Sequence, residues 1–108
     1  LVDERFAGMH AVHTNNNLCL IVFGLKLAEG DLMRGLSQTV AMGLDSDCTA
    51  ASAGSILGAV LGKSAIAPEL YECFHDRMDT YLKNTEAFSI RDMAKRYSAL
   101  AHKVHSRL

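Results

Sequence analysis

The stretch Ala41-Met42-Gly43-Leu44-Asp45-Ser46-Asp47-Cys48-Thr49-Ala50-Ala51-Ser52-Ala53-Gly54-Ser55-Ile56-Leu57-Gly58-Ala59-Val60-Leu61-Gly62 decides how the chain folds. Its opening, Gly43 to Asp47, reads as a tight connection, with Ser46 or Asp47 opening a helix by accepting a hydrogen bond from an orphan backbone N–H. From Cys48 to Gly62 there is no charged residue, and small residues fill Ala50, Ala51, Gly54, Gly58 and Gly62. Gly54, Gly58 and Gly62 recur every four residues and so share one helical face. Each costs a helix about 1 kcal/mol relative to Ala. The pattern therefore predicts a helix whose glycine face meets a neighbouring backbone closely. A membrane helix uses the same spacing, but a span needs about 20 apolar residues, and this run is too short. No membrane partner is expected.

Working outward, the flanking segments also read as helices. On the N-terminal side, Asn15, Asn16 and Asn17 precede the apolar run Leu18 to Leu25. With asparagine as cap, Asn16 in particular, a helix is expected from about Asn17 to Glu29, stopped by Gly30. Its apolar residues lie on all sides, which predicts a central, buried element; a buried strand is the rival for Leu18 to Phe23 alone. Asp31 caps a second helix running to about Met42, with Leu32, Met33, Leu36 and Val40 at helical spacing and Gly43 as its end. On the C-terminal side, Pro68 and Glu69 open a helix to about Lys83, striped by Leu70, Tyr71, Phe74, Met78, Tyr81 and Leu82. Ser89, with Asp92 three residues on, opens the last helix. There Ile90, Met93, Ala94, Tyr97, Leu100, Ala101 and Val104 keep the 3.6-residue period. Five helices with short connections make an all-α assembly.

Composition agrees with a folded helical domain. The chain has 108 residues, 49% hydrophobic and 21% charged, a globular balance and not a disordered one. With 11 Lys+Arg against 12 Asp+Glu, no broad basic face points to nucleic acid as a partner. Cys19, Cys48 and Cys73 are an odd number with no CxxC spacing, so they read as free thiols in a reducing, cytoplasmic compartment. No secretory signal opens the chain. It starts at Leu1 instead of Met, and the expectation is that it begins inside a longer protein.

Asp45 and Asp47 are the residues most suited to chemistry. Two carboxylates two positions apart at a helix N-terminus can turn toward one point, and hard cations such as Mg²⁺ take oxygen ligands of this kind. The other physical reading is that aspartate caps the helix and sits well in the positive end of its dipole. Elsewhere, His13 is a loop histidine that could face the site or make local hydrogen bonds. His102 and His105, three apart, read as a surface pair among Lys103 and Arg107. Cys73 and His75, two apart on an expected helix, do not face each other.

The surroundings of the acidic pair carry a resemblance. Gly43, then Asp45-Ser46-Asp47, then Ala51-x-x-Gly54-x-x-x-Gly58 is similar to the C-terminal signature of the ADP-ribosylglycohydrolase family. His13-Thr14-Asn15-Asn16-Asn17, Glu29-Gly30-Asp31-Leu32 and Ala65-Ile66-Ala67-Pro68-Glu69 resemble its flanking segments, so the likeness runs from about His10 to Leu100. It implies an all-α, orthogonal helical assembly of the ADP-ribosylglycohydrolase type. Residues 1–108 would be the C-terminal portion of one such domain, lacking its N-terminal part. It implies two Mg²⁺ ions, or Mn²⁺, with Asp45 and Asp47 on the family's C-terminal metal aspartates. Cys48 falls where many members carry a threonine ligand, and a thiol is a soft ligand that suits Mg²⁺ poorly. Ser46, His13 and Asn16 are candidate substrate contacts.

The implied function is a metal-dependent hydrolase that cleaves the glycosidic bond between ADP-ribose and a modified acceptor. The family's remaining ligands, a Thr/Ser-Asp-Asp set, and its catalytic acidic residue belong to the N-terminal part. Asp3-Glu4, the only acidic pair before His13, does not fit them. Two carboxylates cannot satisfy two ions that each want about six oxygens. The expectation is therefore a chain that by itself binds metal weakly and is inactive, with the N-terminal half of the domain and an ADP-ribosylated substrate as its partners. The alternative is a non-enzymatic binding or structural relative that has lost the metal site. Nothing in these residues selects among acceptors.

Overall fold

The computed structural model describes residues 2–107, with the side chain of Asp3 outside the description. The chain divides into two compact units, Leu1–Ile66 and Ala67–Leu108. The first holds a short helix α1 (Val2–Arg5) and three longer ones, α2 (Thr14–Ala28), α3 (Leu32–Ala41) and α4 (Ser46–Leu61). The second holds 3₁₀ turns at Pro68–Leu70 and Glu72–Phe74, strands β1 (Arg77–Asp79) and β2 (Ala87–Ser89), and helix α5 (Ile90–His105). The all-α reading holds, with one very small sheet added.

In the first unit α2, α3 and α4 pack on one another around Ala28, Leu32 and Leu57, with Leu25, Leu36, Leu61 and Ile66 against them. Asp31 caps α3 as expected, its side chain accepting from the Arg34 N–H at 2.7 Å. Helix α2 begins three residues earlier than its asparagines suggest. His13 is the cap, its ring Nδ1 accepting from the Asn15 N–H at 3.2 Å. Asn16 is not a cap but a buried residue of the first turn, whose amide donates to the His10 carbonyl at 3.2 Å. Nor is α2 buried all round: it hides the four-residue stripe Asn16, Leu20, Gly24 and Ala28, while Leu18, Val22, Phe23 and Leu27 are exposed.

Close helix approach is real, but of the expected three glycines only Gly54 takes part, and the tightest contacts are at Gly24 and Gly35. A Cβ on Gly24 would overlap the Thr39 hydroxyl of α3, and one on Gly35 would clash with Leu57 and lie 2.8 Å from the Cβ of Ala28. Of the α4 glycines, Gly54 is tight, 2.9 Å from Leu36, whereas Gly58 meets only Ile66 at an ordinary 3.9 Å. Gly62 lies beyond the helix, with φ 77° and open space around it, where glycine serves as a left-handed stop.

The helix expected from Pro68 to Lys83 does not form. After Phe74, His75 and Asp76 take successive left-handed conformations, φ 49° and 59°, which no right-handed helix admits. Side-chain bonds, one local and two from residues well along the chain, hold the segment instead of a helical ladder. The Asp76 carboxylate accepts from the Ser89 hydroxyl at 2.7 Å and the Arg91 N–H at 2.8 Å, and Thr80 Oγ1 accepts from the Leu82 N–H at 3.0 Å. Arg77–Asp79 instead pairs antiparallel with Ala87–Ser89, Met78 opposite Phe88. Ser89 then caps α5, accepting from the Asp92 N–H at 3.0 Å. The expected apolar stripe of α5 stays in solvent, Tyr97 and Leu100 included. His102 and His105 are exposed in its last turns.

Candidate metal centre

The turn from α3 to α4 needs only four residues, Met42 to Asp45, because Gly43 and Leu44 both adopt positive φ, 76° and 58°. Leucine there costs about 1–2 kcal/mol, and the tight reversal delivers Asp45 to the N-cap position of α4. The first turn of that helix then carries Ser46, Asp47 and Cys48. Thr49, fully buried, locks this turn from below: its hydroxyl donates to the Asp45 carbonyl at 3.0 Å and the Ser46 carbonyl at 3.3 Å. Sequence reading passed over Thr49; a threonine four residues after a cap position is the pattern that marks such a back-bond.

Asp45 occupies the cap position and does not cap. Its side chain makes no hydrogen bond to the exposed N–H groups of α4. Instead the carboxylate accepts from the Asn17 amide of α2 at 2.5 Å. Asp45, Asp47 and Cys48 each bring a ligand atom within 4.8 Å of one another, Asp45 half-buried and the other two exposed. The Asn17 amide holds the Asp45 carboxyl below the usual carboxylate range. The Cys48 thiol and the Asp47 carboxyl add to this, while partial burial opposes it. Cys48 is driven the other way: its hydrogen bond to Asp45, then the charges of Asp45 and Asp47, and then burial push the thiol up. The thiol is thus kept as a proton donor to Asp45 and is not offered as a thiolate.

The oxygen of the Asn17 amide is buried and without a partner, as is that of Asn16. A buried acceptor left unsatisfied costs about 1–3 kcal/mol. The opposite amide orientation would set that oxygen against the Asp45 carboxylate, so Asn17 donates to Asp45 despite the cost. Asn17, missed in the sequence, is therefore part of the site, while Asn16 points its donor at His10 and His13 is occupied as a cap. Ser46 is half-buried in the first turn, its carbonyl taken by Thr49.

Chemically, two converging carboxylates beside a neutral amide suit a hard divalent cation. Its charge would relieve the repulsion between Asp45 and Asp47. A protonated thiol does not suit such an ion, so Cys48 fits as a neighbour of the ligands better than as one. Among the described residues this is the one cluster of three or more metal-ligating side chains, and no helix is long and apolar enough to cross a membrane. In comparison with known proteins, no curated protein and no solved structure matches the chain. The family model described as ADP-ribosylglycohydrolase matches residues 2–106.

Proposed function

Because the chain belongs to the ADP-ribosylglycohydrolase family, we propose that it supplies the C-terminal metal carboxylates of a magnesium-dependent hydrolase that releases ADP-ribose from a modified acceptor. A glycohydrolase-type activity follows from membership. The observation that carries it is the conduct of Asp45. At a helix N-terminus with free backbone donors, it turns from capping toward Asn17 and lies in one group with Asp47 and Cys48.

In this reading Asp45 and Asp47 hold the cation, and Asn17 and Cys48 orient Asp45 by donating to it. When bound, Mg²⁺ or Mn²⁺ supplies Lewis-acid charge to polarise the sugar and orient its hydroxyls. Ser46 and His13 would lie around the substrate and not among the ligands; Asn16, buried and donating to the His10 carbonyl, would act only behind them. Residues 1–108 gather too few oxygens for two ions of about six ligands each, so the remaining ligands and the catalytic acid come from an N-terminal part of the same domain. The chain alone binds metal weakly and does not turn over.

The test is hydrolysis of ADP-ribosylated protein by the full-length protein with magnesium, wild type against Asp45→Asn. Activity is expected to fall by about a hundredfold or more, some 3 kcal/mol of transition-state stabilisation, with helix content retained. Undiminished activity contradicts the assignment. Inactivity of the wild type on every ADP-ribosylated acceptor favours the rival reading, a binding or structural relative, for which the supporting observation is that the third side chain grouped with the two carboxylates is a soft cysteine.

A further inference from the structure

We infer that Asn17 is the positioning residue of the metal carboxylate, fixing the orientation of Asp45 from a separate helix; this rests on the proposed cation site. The two residues lie 28 positions apart and belong to different elements. Their bond is the direct polar link between the N-terminal turn of α2 and the α3–α4 turn. Asp45 needs such a link because its own helix offers it no backbone bond and only the Cys48 thiol as a donor, and an aspartate so placed would swing onto the free N–H groups of α4. The Asn17 donor engages one carboxylate oxygen, Oδ2, in a group whose ligand atoms lie within 4.8 Å of one another. A neutral amide can do this without adding charge, whereas a lysine or arginine would compete with the cation. The buried oxygen of the same amide, unpartnered, shows that the side chain is not placed there to satisfy itself. Partners of this kind, one shell behind the ligands, characteristically tune metal affinity about 10- to 100-fold.

The test reads metal affinity, not turnover. Mn²⁺ binding to the full-length protein is measured by electron paramagnetic resonance and Mg²⁺ binding by calorimetry, for wild type, Asn17→Leu, Asn17→Ala, Asp45→Asn and Leu57→Ala. Leu57→Ala is a core deletion on α4 far from the carboxylates, and it reports what mere destabilisation does. Asn17→Leu keeps the volume and removes the donor. The expected result is an affinity loss of about tenfold or more for both Asn17 variants, near-complete loss for Asp45→Asn, and no change for Leu57→Ala. Loss in Asp45→Asn with wild-type affinity in the Asn17 variants overturns the positioning role and leaves the cation site standing. Wild-type affinity in Asp45→Asn removes the cation site itself. Should both Asn17 variants unfold, the Asn17 side-chain amide resonance of the wild type is followed during the Mg²⁺ titration. A shift is expected, and an unmoved resonance overturns the inference.

Discussion

Replacing Gly24 with Ala and replacing Gly58 with Ala are the same chemical change in two helices, and the packing predicts opposite outcomes. In an unpacked helix either substitution would stabilise by about 1 kcal/mol, because Ala loses less backbone freedom than Gly. At Gly58 that gain is kept: the new methyl meets Ile66 at an ordinary 3.9 Å. At Gly24 the methyl overlaps the Thr39 hydroxyl and lies 3.0 Å from the Thr39 Cβ. Thr39 cannot move aside cheaply. It is fully buried, and its hydroxyl donates to the Gly35 carbonyl at 2.7 Å. Overpacking costs about 1–3 kcal/mol, and breaking the Thr39 bond while leaving the hydroxyl buried costs about 1–3 kcal/mol. After the propensity gain, Gly24→Ala should lose about 1–5 kcal/mol. Urea unfolding followed by far-UV circular dichroism reads this as a midpoint lower by about 1–2 M for Gly24→Ala and slightly higher for Gly58→Ala. On a Thr39→Ala background, where the overlapping hydroxyl is gone and only the Cβ contact at 3.0 Å remains, the Gly24→Ala penalty should shrink markedly, since contacting residues couple. A neutral Gly24→Ala, a destabilising Gly58→Ala, or additive behaviour with Thr39→Ala would refute the packing account.

Three more predictions follow from the loops and the site. Gly43→Ala should destabilise by about 1–2 kcal/mol although nothing lies within 4 Å of its Cβ, since its φ of 76° is the whole cost; thermal unfolding checks this. The Asp76 carboxyl is held below its ordinary range by the Ser89 hydroxyl, then the Arg91 N–H, with Arg91 and Lys95 charges assisting. A carboxyl lowered on folding stabilises above its unfolded value near pH 4 and loses that contribution as pH falls through the folded one. Wild type should therefore melt above Asp76→Ala at neutral pH, and the gap should narrow as pH falls below the unfolded value; parallel curves throughout the acid range count against the clamp. Cys48→Ser, which exchanges a soft, protonated sulfur for a hard hydroxyl, should raise Mg²⁺ affinity several-fold by calorimetry. A lower affinity would mean that the thiol's bond to Asp45 outweighs the softness of its sulfur.

Much of the fold was legible because it is locally encoded. Asp31 and Ser89 are short polar residues before apolar periods, and both cap where such residues should. The start of α2 was misplaced because three asparagines look like caps, while a histidine ring, a rarer acceptor, takes that part. The segment after Pro68 carried a helical stripe, but two left-handed residues turn the chain into a strand, and Asp76 bonds Ser89 and Arg91 from 13 and 15 positions away, which the stripe does not reveal. The tight glycines were hidden because close approach depends on what faces them. Gly24 and Gly35 have no repeat to advertise them, whereas the conspicuous Gly58 faces nothing close. At the site, Asp45 and Asp47 were visible as a spaced pair. Asn17 was not, since its bond to Asp45 spans two helices and 28 positions.

The most direct measurement is the anomalous scattering of manganese in crystals of the full-length protein soaked in Mn²⁺. The account predicts a peak within about 2.0–2.3 Å of carboxylate oxygens of both Asp45 and Asp47, with Asn17 still donating to Asp45. A peak elsewhere, or carboxylates turned to the backbone N–H groups of α4 with no ion beside them, would contradict it.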